Sequence, residues 1–122
     1  MKLTIPLDTP PAPRPRFTRA GIAYDPPESR KYKANLAQLI LSQINSPALF
    51  TGAVHVRIVV YRNFKKATVP KFGDIDNLAK IILDAITMSG AVWKDDRQIT
   101  DLHITKATAP EPRVEIWIEE II

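Results

Sequence analysis

The apolar residues of this chain change their period partway along it, and that change sets most of what it can fold into. Val54, Val56, Ile58 and Val60 alternate with His55, Arg57, Val59 and Tyr61, the period of two expected for a core strand from about Ala53 to Tyr61. Further on, Leu78, Ile81, Ile82, Ala85 and Ile86 fall at i, i+3, i+4, i+7 and i+8, a single apolar stripe on a helix that Ser89-Gly90 ends. A strand with one apolar face and a helix with one apolar stripe bury those surfaces against each other, so the chain is expected to form layers.

The other elements extend this pattern. A helix is expected to begin at Pro27, Glu28 or Ser29 and to carry Tyr32, Leu36, Leu39, Ile40 and Gln43 at helical spacing until Ser46-Pro47 stops it. Arg30, Lys31 and Lys33 fall on its solvent side. Ile99 to Ala107 and Arg113 to Ile118 read as two more strands, and Leu3, Ile5 and Leu7 as a short first one, kept to an edge or cut short by Pro6. From Thr9 to Pro27 lie six of the eleven prolines, with Arg14, Arg16, Phe17, Arg19 and Tyr24 among them, an extended basic arm in place of a helix. The order strand-helix-strand-helix-strand-strand predicts an α+β (mixed α/β) fold, a small mixed sheet with two helices, in one domain spanning residues 1–122.

Composition narrows the chemistry. The chain has no cysteine, which excludes a disulfide framework, a thiolate zinc site and a cysteine nucleophile. The first residues lack the pattern of a signal peptide, and no apolar run approaches the roughly 20 residues needed to cross a bilayer. A soluble, cytoplasmic protein is expected. Net charge is +4, but residues 1–72 hold twelve Lys/Arg against three Asp/Glu, whereas residues 73–122 hold five against ten. A basic surface around an acidic pocket is what a metal-dependent nuclease requires; a solvated surface with chance segregation gives the same counts.

Six of the eight aspartates (74, 76, 84, 95, 96 and 101) lie within 28 residues of this basic chain. Such crowding is unfavourable unless a cation offsets it. With Asp76 at the start of the helix, Asn77, Lys80 and Asp84 form a polar stripe beside the apolar one, and Asp74 stands at its mouth. Capping is a structural reading of Asp76, but one cap satisfies a helix terminus and leaves Asp74 unexplained. Alternation in an extended segment would turn Asp74 and Asp76 to one side, and Asp95-Asp96 can return beside the helix mouth if the following strand pairs with the core strand, so that three or four carboxylates converge. Oxygen ligands without His or Cys suit Mg²⁺ or Mn²⁺. Lys80 would then face a phosphate, or else pair with Asp76 or Asp84 along the helix. Asp84 and Asp101 read as helix-flank and strand-surface residues, and His55 and His103 as half-exposed strand residues without ligand-like spacing.

The run Gly73-Asp-Ile-Asp-Asn-Leu-Ala-Lys80, with Asp84-Ala85, Gly90, Trp93 and Asp95-Asp96, resembles the RusA family of Holliday junction resolvases, as does Pro13-Arg14-Pro15-Arg16 near the N-terminus. The resemblance implies a bacterial or phage-encoded homodimer that binds four-way DNA junctions in recombination and repair and nicks two opposing strands symmetrically with Mg²⁺ or Mn²⁺. On this pattern Asp74, Asp76 and Asp96 hold metal, Lys80 is the catalytic lysine, and Asn77 and Asp95 support them. Some members carry an arginine run before the first aspartate; this chain has Gly73 there, with Lys65, Lys66 and Lys71 upstream. Arg14, Arg16 and Arg19 are placed to compensate on DNA, with Phe17 or Tyr24 stacking on unpaired bases, unless the arm packs across the dimer interface. Two other functions fit the residues: a nuclease for other branched DNA, and a non-catalytic DNA-binding accessory protein.

Overall fold

The computed structural model describes residues 1–8, 16–24, 27–45, 49–63 and 74–121. In chain order they form β1 (Lys2–Ile5), β2 (Arg16–Phe17), β3 (Ala23–Tyr24), α1 (Pro27–Ser42), β4 (Val54–Arg62), α2 (Ile75–Ser89), a 3-10 turn (Asp96–Gln98), β5 (Ile99–Thr108) and β6 (Arg113–Glu120). Apart from the small β2–β3 hairpin this is the expected order, and the fold is α+β. The described part of the arm, residues 16–24, holds none of its prolines and forms a two-stranded hairpin that turns back on itself. Gly21 at φ 81° takes up the left-handed conformation the turn needs, and its N–H donates to the Thr18 carbonyl at 2.9 Å.

One sheet runs in the order β1-β6-β4-β5, with β4 and β5 parallel and the remaining neighbours antiparallel. β1 is an edge strand, which agrees with the proline that follows it. The inner face of the sheet buries Leu3, Ile5, Val54, Val56, Ile58, Val60, Val114, Ile116 and Ile118. Against it pack Leu36 and Ile40 of α1 and Leu78, Ile81, Ile82, Ala85 and Ile86 of α2, all in one cluster. Each such aliphatic side chain contributes roughly 1.5–3 kcal/mol on burial, so the alternation of β4 and the stripe of α2 together account for the layered arrangement.

Three local expectations are corrected. α1 ends at Ser42, short of Ser46-Pro47, because Gln43 leaves the helix to clasp β1. Its Oε1 accepts from the Thr4 amide at 3.0 Å, and its Nε2 donates to the Thr4 carbonyl. α2 opens at Ile75, with Asp74 at the N-cap position and Asp76 inside the first turn. Asp74 and Asp76 are therefore not related by strand alternation, and the Asp74 side chain makes no cap hydrogen bond. Lys33, placed on the solvent side of α1, is only 7% exposed. It shares a helix face with Ser29, Leu36, Ala37 and Ile40, which puts its stem under α2. There its Nζ meets Asp84 Oδ2 at 3.2 Å, and a charge so deeply buried needs such a counter-ion.

The parallel pairing of β4 with β5 orients α2. The helix runs back along the sheet, so its N-terminus lies where β4 finishes and its C-terminus where β5 begins. Gly90, at φ 68°, ends the helix with its N–H bonded to the Thr87 carbonyl.

Candidate functional site

α2 and β5 bound an open groove of about 480 Å³, lined by Ile75, Asp76, Ala79, Lys80, Leu83, Asp84, Asp96, Leu102 and Ile104. Helical spacing sets Asp76, Lys80 and Asp84 along one wall; of the expected stripe of Asn77, Lys80 and Asp84, Lys80 and Asp84 line the groove and Asn77 does not. The floor is apolar. A second hollow of about 350 Å³ shares Asp84 and Asp96 with the first and adds Lys33, Thr87, Met88, Lys94 and Asp95. Among the described residues no ion pair joins Lys80 to Asp76 or Asp84; the partner of Asp84 is Lys33.

Asp76, Asp84 and Asp96 are strung along this groove rather than gathered at its mouth. Asp76 and Asp84 are two turns apart, about 12 Å along the helix axis. Asp96 belongs with Asp84, since both line the two hollows and the turn that carries it precedes β5, beside the C-terminal half of α2. Asp74 lines neither hollow. Among the described residues, Asp74, Asp76 and Asp96 do not form a group whose ligand atoms lie within 4.8 Å of one another. The expected convergence of three or four carboxylates therefore fails within one chain. Its physical reason is the parallel crossover, which sends the segment after α2 to the far end of the helix from Asp76.

Asp95 and Asp96, adjacent in sequence, interact through their side chains but differ in their other partners. Asp95 caps the 3-10 turn: Oδ1 accepts from the Arg97 amide at 2.9 Å, and Oδ2 from Arg97 Nη2 at 2.8 Å and Nε at 3.0 Å. Gln98 completes a capping box and ties the turn down, its Nε2 donating to the carbonyls of Phe50 at 2.7 Å and Gly52 at 3.0 Å. Asp96, in the same turn, is exposed toward the groove. The Arg97 side chain, followed by its backbone N–H, holds the Asp95 carboxyl at about 2, down from 3.8. A lowered native pKa stabilises the fold above pH 3.8, and that contribution disappears as pH falls through about 2. Urea titrations are therefore expected to show wild type more stable than Asp95→Asn at neutral pH, with the gap closing between pH 4 and 2. A gap independent of pH would assign the effect to the capping geometry alone.

The remaining expected DNA contacts are less fully placed. Arg19 is exposed in the β2–β3 turn. Arg16 lies in β2, but its side chain, with Phe17 and Tyr24, is outside the description, and Arg14, Lys65, Lys66 and Lys71 fall outside the described residues. Asn77 is half-buried in the first turn of α2. On the outer face of the sheet the structure makes a grouping that the sequence reading missed. His55 Nδ1 lies 2.6 Å from Asp101 Oδ2, and His103 Nε2 lies 3.2 Å from Asp101 Oδ1. Asp-x-His at 101 and 103, on one face of a strand, was the available signal; its partner His55 needed the inter-strand register.

Comparison with known proteins follows the same line. The family model of Endodeoxyribonuclease RusA matches residues 6–119. The uncharacterised protein YqaN of Bacillus subtilis (strain 168) is 32% identical over 116 residues, covering 80% of this chain and 78% of that protein. Among the described residues no helix is long and apolar enough to cross a membrane.

Proposed function

The chain belongs to the RusA endodeoxyribonuclease family, and on that premise we propose that it resolves four-way DNA junctions, as a homodimer, by paired symmetric nicks that depend on Mg²⁺ or Mn²⁺. The observation that supports this reading is the groove, whose lining includes Asp76, Lys80 one turn on, Asp84 and Asp96. The donor set fits a hard divalent ion, because every candidate ligand is a carboxylate. Its geometry in one chain is incomplete, since Asp76 and Asp96 stand toward opposite ends of the groove.

A second copy answers that shortfall. Two nicks related by the two-fold symmetry of a junction call for two centres related in the same way. The groove also offers a surface suited to a protein partner, as Ile75 is 40% and Leu102 38% exposed beside its apolar floor. In this arrangement Asp74, Asp76 and Asp96 are the metal ligands of the assembled dimer, and Asn77 and Asp95 support the helix and turn that present them. The ion, when bound, supplies a Lewis acid for the phosphate and a lowered pKa for its water. Lys80 presents its ammonium to the scissile phosphate and stabilises the charge that develops there. Arg14, Arg16, Arg19, Lys65, Lys66 and Lys71 supply the backbone contacts.

Incubation of the chain with a labelled synthetic four-way junction tests the proposal. Symmetric nicks with Mg²⁺ and none with EDTA are expected. Equal cutting of a flap with linear duplex spared would move the substrate to branched DNA in general, equal cutting of linear duplex would overturn structure selectivity, and binding without cleavage under any divalent ion would leave an accessory DNA-binding protein. Lys80→Met is expected to lower single-turnover cleavage about 10²-fold while junction affinity changes little, since a group that acts on developing charge is felt mainly in the chemical step. An unchanged rate would return Lys80 to the helix surface.

A further inference from the structure

The outer face of the sheet carries a second constellation, chemically unlike the groove. We propose that His55, Asp101 and His103 bind one divalent transition-metal ion of the zinc class, at a site separate from the acidic groove. Three observations support it.

Backbone register fixes the donors. β4 and β5 are parallel, with His55 paired to Asp101 and Arg57 to His103, so the three side chains stand on the face opposite Val56, Ile58, Leu102 and Ile104. A cross-strand pair and its i+2 neighbour are the closest same-face positions a sheet offers. The donor atoms are already near one another: all lie within 4.8 Å, and the imidazole rings are 5.6 Å apart. A tetrahedral ion with bonds of about 2.0–2.1 Å spaces its ligands roughly 3.4 Å apart, within reach of small side-chain rotations. The trio is also the only group of three His, Cys, Asp or Glu among the described residues that meets this spacing.

The donor chemistry selects the ion. Two imidazoles and one carboxylate favour Zn²⁺, Co²⁺ or Ni²⁺ over Mg²⁺, which prefers an all-oxygen shell. Arg57, registered beside His103, is drawn over the Trp117 ring at 5.0 Å, and Glu119, registered opposite His55, adds negative charge on the other side. All three donors reach solvent, so a fourth position is open to water. Binding would pin the N-terminal end of β5, an edge strand paired only to β4, a few residues after the turn that presents Asp96.

The test uses the untagged full chain after EDTA treatment and dialysis. Titration with Co²⁺ is expected to develop visible d–d absorption saturating at one ion per chain, displaced by Zn²⁺ and indifferent to excess Mg²⁺. Zn²⁺ at a hundredfold excess over Kd should raise Tm by roughly 10 °C. His103→Ala and His55→Gln, both at exposed or half-exposed positions, are each expected to lose the d–d signal or weaken binding at least tenfold with unchanged circular dichroism, whereas Asp76→Asn binds Co²⁺ as wild type does. Binding that survives His103→Ala, binding lost in Asp76→Asn, or no saturation below millimolar Co²⁺ would each overturn the site. None of these readouts requires nuclease activity.

Discussion

Asp76→Asn is expected to lower junction cleavage by about 10²–10³-fold or more in Mg²⁺ while the protein still folds and still binds the junction. The change is nearly isosteric and falls at an exposed side chain lining the groove in the first turn of α2. Two roles compete for that carboxylate, and their magnitudes differ enough to separate them. As a partner of the helix dipole it contributes about 0.3–1 kcal/mol of stability, screened by salt. As a metal ligand it is worth the rate loss above, about 3–4 kcal/mol in the barrier at 1.36 kcal/mol per factor of ten. A variant with a slightly lower Tm and near-normal single-turnover rate would identify Asp76 as a helix-terminus residue and sink its catalytic assignment. Asp96→Asn, in a separate element, should give the same kinetic loss if the two carboxylates serve one centre. Because one chain keeps them apart along the groove, mixing Asp76→Asn subunits with Asp96→Asn subunits is informative. If the dimer brings Asp76 of one copy to Asp96 of the other, the mixture regains one competent centre per heterodimer and nicks one strand of the junction. No recovery would place both ligands in a centre formed by a single copy.

How far the sequence carried follows from what a period can encode. Alternation in β4 and the stripe of α2 fixed which face each element buries, because burial on one side is what the period records. The four-stranded sheet, the stop at Gly90 and the placing of Lys80 and Asp84 on one flank of α2 followed from it. A period does not encode which strands are neighbours or in which direction they pair. Parallel pairing of β4 with β5 was invisible, and two features depend on it: the distance between Asp76 and Asp96, and the meeting of His55 with Asp101 and His103. Lys33 shows a related limit. Charge alone assigned it to solvent, but its helix face was that of Leu36 and Ile40, and the carboxylate that makes burial tolerable lies 51 residues away. Asp95 and Asp96 were likewise inseparable until the hydrogen bonds of Arg97 and Gln98 committed one of them to the turn.

Trp93→Ala is expected to cost about 3–5 kcal/mol in stability and to lower Tm by roughly 12–20 °C. Trp93 is 1% exposed and belongs to the core cluster, so truncation leaves a cavity that its rigid neighbours cannot fill. Its position links three parts of the chain. Trp93 bridges to Phe50, whose N–H donates to the Val92 carbonyl at 2.9 Å, and its indole Nε1 donates to Thr87 Oγ1 at 2.8 Å near the end of α2. The turn carrying Asp96 begins just after it and is fastened to the carbonyls of Phe50 and Gly52 through Gln98. Trp93→Phe separates the contributions: most of the apolar contact remains, and Thr87, which also donates to the Leu83 carbonyl, keeps a partner. Loss of the indole hydrogen bond should then cost only about 0.5–1.5 kcal/mol in urea denaturation. If the indole serves packing alone, Trp93→Phe cleaves the junction at the wild-type rate. If its bond to Thr87 aligns the turn against α2, kcat falls more than stability does, because Asp96 moves relative to Lys80 without the core unfolding. A Trp93→Ala variant less than 1 kcal/mol below wild type would show that this end of α2 is not part of the cooperative core.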